Sequence, residues 1–312
     1  MIKHLLIALL LTLPLAVFSQ QDSITIIEYN VENLFHPAHD SLKNDYEFTP
    51  EGKYRWNFTR YTRKIEQISR LITNIGGKRA PAIVGLCEVE NEQCFQDLAK
   101  RMKHYYYNYV FYEGVDKRGI DVGLLYDPRQ VKLVHWDHYR VFNDSINFTR
   151  DILYTTFKII GSSDTLHLMM CHLPSQLGGT KQTEWKRLAA KNILKHIKDS
   201  IYAIQTNAKI IIMGDFNNQP KDDIEGLTNI LLPLAKKGLG THRWQGKWSC
   251  LDQVYLSPQL KDKVSVRIYD EPWLLMEDKD FMGFTPKRTF IHLRYNPKGY
   301  SDHLPLLLRY RY

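Results

Sequence analysis

Lys209-Ile210-Ile211-Ile212-Met213-Gly214-Asp215-Phe216-Asn217 is the stretch on which the reading of this chain turns. An apolar run of strand length meets Gly214 and then places Asp215 and Asn217 two apart. Side chains two apart along an extended backbone share a face. A buried strand here therefore delivers a carboxylate and an amide to one side of its C-terminal end.

The same pattern recurs outward from it in both directions. Ile26-Ile27-Glu28-Tyr29-Asn30-Val31-Glu32 ends a strand in Asn30, which offers a neutral oxygen to a hard cation or a hydrogen bond to a carboxylate ligand. Ile83-Val84-Gly85-Leu86-Cys87-Glu88 closes a buried strand with an acid, costly unless exposed, paired or bound to metal, so Glu88 is the leading metal-ligand candidate. Glu90 and Glu92 read instead as the negative start of the next helix. Ile120–Tyr126 sets Asp121 inside a strand, and Leu168-Met169-Met170-Cys171-His172 ends another in an imidazole that a carboxylate could orient. Ser249-Cys250-Leu251-Asp252-Gln253-Val254 and Tyr300-Ser301-Asp302-His303-Leu304-Pro305-Leu306 complete the set. The adjacent Asp302-His303 before an apolar strand is the most telling local signal.

Strand-like runs fall at 24–29, 82–87, 108–112, 120–126, 152–160, 165–171, 209–213, 250–256, 264–268, 289–293 and 304–309. Helical periodicity is confined to 60–75, 92–102 and about 183–204; in the last, Leu188, Ala189, Ile193, Leu194, Ile197 and Ile201 keep one apolar face. Many strands, few helices and no βαβ alternation predict mixed sheets packed face to face with helices outside, an α/β (α+β) arrangement rather than a doubly wound parallel sheet. The polar segments 36–57 and 270–287 read as surface loops near the functional rim.

A chain of 312 residues, 44% apolar, without internal repeat, can close one large core. Residues 1–19 have the form of a signal peptide: Lys3, an apolar run from Leu5 to Phe18, and small Ser19 before polar residues. Export to a periplasmic or secreted location and a single domain over 22–312 are expected, with no integral membrane segment after cleavage. Formal charge is +8, and Lys3 is the one formally charged residue of the leader, so +7 remains without it. The excess favours anionic substrates weakly, since no block of like charges occurs. Cys87, Cys94, Cys171 and Cys250 lie in strand or helix patterns and are expected as buried thiols, with one Cys87–Cys171 disulfide conceivable. His36 and His39 are spaced by Pro37 and Ala38 with no acid cluster adjoining, a poor metal site.

Taken together, Tyr29-Asn30-Val31, Glu88, His172, Gly214–Asn217, Leu251–Tyr255 and Ser301–Pro305 resemble, in order, the motifs of the endonuclease/exonuclease/phosphatase superfamily. The one departure is Gln253, where Tyr, Arg or His is more usual. The resemblance spans Ile24 to Tyr310 and implies a deoxyribonuclease I-like fold, a four-layer sandwich of two packed mixed β-sheets flanked by helices, with the site at one edge between the sheets. It also implies metal-assisted phosphodiester hydrolysis. In that scheme His303 is the general base oriented by Asp252, and Asp215 and Asn217 sit beside the scissile phosphate. His172, held by Asp121, donates to phosphoryl oxygens. Asn30, Glu88 and Asp302 hold Mg²⁺ or Mn²⁺, and Arg118 and Arg150 face the phosphate.

The shared core does not choose the substrate. Lys53, Arg55, Trp56 and Arg60 could line a nucleic-acid groove, whereas a lipid hydrolase should show an exposed apolar hairpin, and none is compelling in the sequence. A monomeric nuclease is the leading expectation. The alternatives are a phospholipid or small-molecule phosphoesterase and, outside enzymes, a binding protein on the same fold.

Overall fold

Two six-stranded sheets carry the chain. The computed structural model describes residues 23–142, 148–176 and 179–312, so the segment read as a leader lies outside the described residues. The first sheet contains β1 (Ser23–Leu34), β2 (Ile83–Val89), β3 (Asn108–Phe111), β4 (Asp121–Tyr126), β13 (Val264–Ile268) and β18 (Leu306–Arg311), in the order β13-β18-β1-β2-β4-β3. The second contains β5 (Val131–Phe142), β6 (Phe148–Ile159), β7 (Thr165–His172), β8 (Lys209–Asp215), β9 (Thr228–Asn229) and β12 (Asp252–Leu256), in the order β5-β6-β7-β8-β12-β9. Each sheet has one parallel pair, β1–β2 and β7–β8, so both are mixed. Hairpins β10 (His242–Trp244)/β11 (Lys247–Ser249), β14 (Leu275–Glu277)/β15 (Phe284–Pro286) and β16 (Phe290–Ile291)/β17 (Arg294–Tyr295) complete the strands.

Alternation along the strands sorts side chains into three cores. Ile24 and Ile26 of β1 face Leu168, Met170, Ile211, Met213 and Val254 between the sheets. Ile27, Tyr29 and Val31 face the other way, onto helices α1 (Phe58–Gly76) and α2 (Glu92–Arg101) through Ile65, Ile68, Ile72, Phe95 and Leu98. Ile210 and Ile212 of β8 meet Leu194, Ile197 and Ile201 of α3 (Thr180–Ile204). Four layers result, as expected. The sheets approach closely at Gly85, where a Cβ would lie 2.6 Å from Met213 Cε.

Local chemistry sets the element ends. The Asn57 side chain caps α1 by accepting the Arg60 N–H at 3.1 Å, and Gly77 at φ 59° stops it. Strand β5 has no counterpart among the expected strands, because this edge strand leaves half of its side chains exposed and shows no apolar alternation. The segment 36–57 is more than a surface loop: Phe48 and Trp56 are buried in the α1/α2 core, and Trp56 Nε1 donates to the Phe35 carbonyl at 2.7 Å. Trp56 is therefore structural. Arg60 donates to the Tyr54 carbonyl and lies over the Tyr295 ring, so of the residues expected to line a groove Trp56 is buried and Arg60 partly engaged, while Lys53 and Arg55 are exposed. All four cysteines are buried free thiols. Cys87 faces the inter-sheet core and Cys171 the α3 core, which rules out the conceivable disulfide.

Candidate active site

The parity that buries Ile24 and Ile26 continues to Glu28 and Asn30, that of Ile211 and Met213 to Asp215, and that of Leu168 and Met170 to His172. Polar groups thus replace apolar ones at one edge of the inter-sheet core. His172 is the register partner of Asp215 across the parallel β7–β8 pair, and Asp215 that of Asp252 across antiparallel β8–β12. Asp252 opens its strand, yet the antiparallel run brings it to the same edge. Gly214 at φ 144° permits this: a Cβ there would lie 1.8 Å from the Cys171 carbonyl oxygen.

Asn30 joins the two sheets. Its Nδ2 donates to Asp215 Oδ2 at 3.1 Å and to Glu88 Oε1 at 3.3 Å, while Oδ1 accepts the Glu32 N–H at 3.0 Å. A backbone N–H can only donate, so Oδ1 is the atom that meets Glu32 and the NH₂ faces the acids. In this arrangement Asn30 positions the two carboxylates, and its Oδ1 keeps a second lone pair beyond the one that takes the Glu32 N–H. Glu88 reaches the site through a bulge, since a φ of 65° and a register shift between Cys87 and Val89 reverse the alternation that would send it toward the helices. Its Oε2 accepts the Asn33 N–H at 2.8 Å. Asn217, at φ 51°, donates its backbone N–H to Asp215 Oδ1 at 2.8 Å and its Nδ2 to the Leu173 carbonyl at 2.8 Å, so it braces Asp215.

His303 Nδ1 lies 2.7 Å from Asp252 Oδ2, and its Nε2 lies 3.9 Å from Asp215 Oδ2. Ser301 fixes the approach by donating Oγ–H to the Asn30 carbonyl at 2.7 Å and accepting the His303 N–H at 3.0 Å. Burial disfavours a charged His303, but Asp252, Asp215 and Asp302 outweigh it and hold the pKa well above the usual imidazole value. Burial drives the Asp215 carboxyl up to about 7, with His303 opposing and Asp252 adding to the rise. His172 is held well below its usual pKa by burial and by the charges of Arg150, His303 and Arg118, so it is neutral. Its Nε2 lies 3.6 Å from Asp215 Oδ2 and 3.7 Å from Glu88 Oε1.

Both expected arginines thus lie close enough to His172 to act on it. Arg118 donates to Asn33 Oδ1 at 2.6 Å, and Arg150 Nε lies 3.4 Å from Asp116 Oδ2. Asp121 does not hold His172. Its Oδ2 accepts the Gly114 N–H at 3.0 Å, and the buried His172 Nδ1 has no hydrogen-bond partner among the described residues.

Acids and imidazoles gather in two groups whose ligand atoms lie within 4.8 Å of one another, His242 with Asp302 and His303, and Asp215 with Asp252 and His303. Asp302 stays ionised: burial pushes its pKa up, but His303, His242, Arg288 and Lys64 bring it below the ordinary value. The carboxylate oxygens in these groups, Asp302 in the first and Asp215 and Asp252 in the second, are donors that suit a divalent cation, and Asp252 Oδ1 has no hydrogen-bond partner among the described residues. Of the residues expected to hold the metal, Asp302 falls in the first group and Glu88 in neither, while Asn30 directs its NH₂ to Glu88 and Asp215. Sequence reasoning missed His242, whose ring centroid lies 4.9 Å from that of His303, and Lys64, fully buried and donating to Thr289 Oγ1 and the Tyr300 carbonyl. Lys64 had a readable signal: it lies on the apolar stripe of α1 with Tyr61, Ile65 and Ile68. His36 packs on the rings of Phe58 and Tyr61, and His39 pairs with Asp45.

Comparison with known proteins adds an independent line. A family model described as the endonuclease/exonuclease/phosphatase family matches residues 25–311. No curated protein matches the chain. Solved structures similar in fold include the human nocturnin catalytic domain (18% identity, covering 93% of this chain and 94% of that one, TM-score 0.59). Others are TDP2 from Caenorhabditis elegans (15%, 93% and 74%, 0.57) and a mannosyl-6-phosphatase from Bacteroides thetaiotaomicron (14%, 91% and 98%, 0.58).

Proposed function

The chain belongs to the endonuclease/exonuclease/phosphatase family, whose members are phosphoesterases, and from that premise we propose that it is an exported, divalent-metal-dependent phosphodiesterase that cleaves nucleic acid. The observation that carries the reading is the Asp252–His303 pair set against Asp215 and a neutral His172, with Arg118 and Arg150 close by.

Asp252 fixes His303 Nδ1, which leaves Nε2 facing the site to take the proton of an attacking water. The water oxygen bonds to phosphorus, the ester P–O bond breaks, and Asp215 orients the water through its braced carboxylate. His172 donates Nε2–H to a phosphoryl oxygen, where Arg118 and Arg150 add positive charge. A Mg²⁺ or Mn²⁺ held by Glu88 and Asp302 would neutralise charge on the phosphoryl group and the departing alkoxide.

The test is cleavage of single-stranded DNA, RNA, a small aryl phosphodiester and sphingomyelin vesicles, with and without Mg²⁺ or Mn²⁺, beside a His303→Ala control. Metal-dependent nucleic-acid cleavage lost in the control is expected; inertness toward every substrate would sink the enzyme reading. One observation favours a second reading. The β14/β15 hairpin exposes Phe281, Met282 and Phe284 at and beside its tip, the apolar hairpin that the sequence did not reveal, and a lipid phosphodiester would suit it. The vesicle arm decides between them.

A further inference from the structure

We infer that the β10/β11 hairpin is a base-stacking platform, on which Trp244 and Lys247 bind the nucleotide next to the scissile phosphate of a single-stranded nucleic acid. The inference rests on the nucleic-acid reading above and deepens it.

The hairpin leaves the catalytic edge directly. His242 forms a bridge with His303, and its Nε2 lies 3.9 Å from Asp302 Oδ2. Trp244 is two residues further along, hence on the same face as His242 and about 7 Å farther out. In the antiparallel register Trp244 opposes Lys247 and His242 opposes Ser249, so these four side chains share one face that runs outward from the catalytic histidine. Trp244 is 62% exposed, a large apolar surface with no place in a core, and Lys247 is exposed beside it.

The opposite face shows why the platform is rigid. Trp248 packs on the α1/α2 core, and the buried Arg243 donates to Asp278 Oδ2 at 2.7 Å and to the Met282 carbonyl at 2.6 Å. The hairpin is thus fastened from beneath while its aromatic ring is held out to solvent. A flat ring at one nucleotide's distance from a phosphodiester site, with a cation across from it, matches the two demands of single-strand binding, a π-face for a base and a charge for the next phosphate. Duplex bases are stacked on one another and do not offer that face.

The experiment measures kcat and KM on a fluorescent single-stranded oligonucleotide for wild type, Trp244→Ala, Trp244→Phe and Trp136→Ala, an exposed tryptophan on β5 that serves as control. The expected result is a roughly tenfold rise in KM for Trp244→Ala with little change in kcat, recovery in Trp244→Phe, and no change in Trp136→Ala. Wild-type cleavage of the oligonucleotide with an unaltered KM in Trp244→Ala overturns the platform and leaves the nucleic-acid reading standing. Failure of wild type to cut any oligonucleotide while it cuts sphingomyelin or the small diester overturns both.

Discussion

Asp252 Oδ2 and His303 Nδ1 stand 2.7 Å apart, 51 residues apart in the chain, and both are buried. Asp252 raises the pKa of His303 against the pull of burial. A base must be neutral to act, so the rate is expected to climb as pH rises through that elevated value. Asp252→Asn removes the charge, lowers the His303 pKa and moves the acidic limb of the kcat profile to lower pH, with kcat reduced about 10²–10⁴-fold. A shift of the alkaline limb instead would make His303 an acid, not a base.

Asn30 keeps two carboxylates apart with one NH₂ group. Asn30→Ala leaves Glu88 and Asp215 without that donor, and kcat is expected to fall about 10²-fold with folding retained. Circular dichroism and a steady-state assay on the same preparation check this.

Glu88 supplies the metal argument its sharpest test. Millimolar Mg²⁺ or Mn²⁺ should raise the melting temperature of the wild type by preferential binding to the folded state. Chelation should abolish activity, and Glu88→Gln should erase the cation-dependent rise. A shift that persists in Glu88→Gln would place the cation elsewhere, with His242, Asp302 and His303.

Glu90 accepts the His36 N–H at 2.7 Å, yet burial, with the acids Asp45 and Asp40, pushes its carboxyl up to about 8. Below the ordinary value of 4.5 both folded and unfolded forms are neutral. As pH rises the unfolded chain ionises first, so stability falls until the pH passes about 8. Glu90→Gln keeps the acceptor and removes the titration; it is expected to flatten that fall and to gain about 1–3 kcal/mol at pH 8 in urea unfolding.

His172, Asp215, Asp252 and His303 were legible because each ends or opens an apolar strand whose alternation fixes its face, whereas the order of the strands in each sheet was not. Glu88 was legible as a residue but not as a geometry, since its arrival depends on one left-handed backbone angle that no residue type at position 88 advertises. Asn30 needed the Glu32 N–H to decide which end of the amide faces the acids. The β5 strand, half polar at a sheet edge, carries no periodic signal. His242 sits on a three-residue strand, too short for any pattern to form.

Ser301 Oγ meets the Asn30 carbonyl across 271 positions of sequence, and β18 is seated between β13 and β1, inside its sheet. A growing polypeptide that already has Asn30, Glu88, His172 and Asp215 still lacks Ser301 and His303 until its last dozen residues are added. His303 joins them only when the segment before β18 docks and that strand takes its place between β13 and β1. Assembly of the site therefore waits on completion of the sheet, and a chain truncated before Ser301 would lack the Asp252–His303 pair on which the proposed chemistry depends.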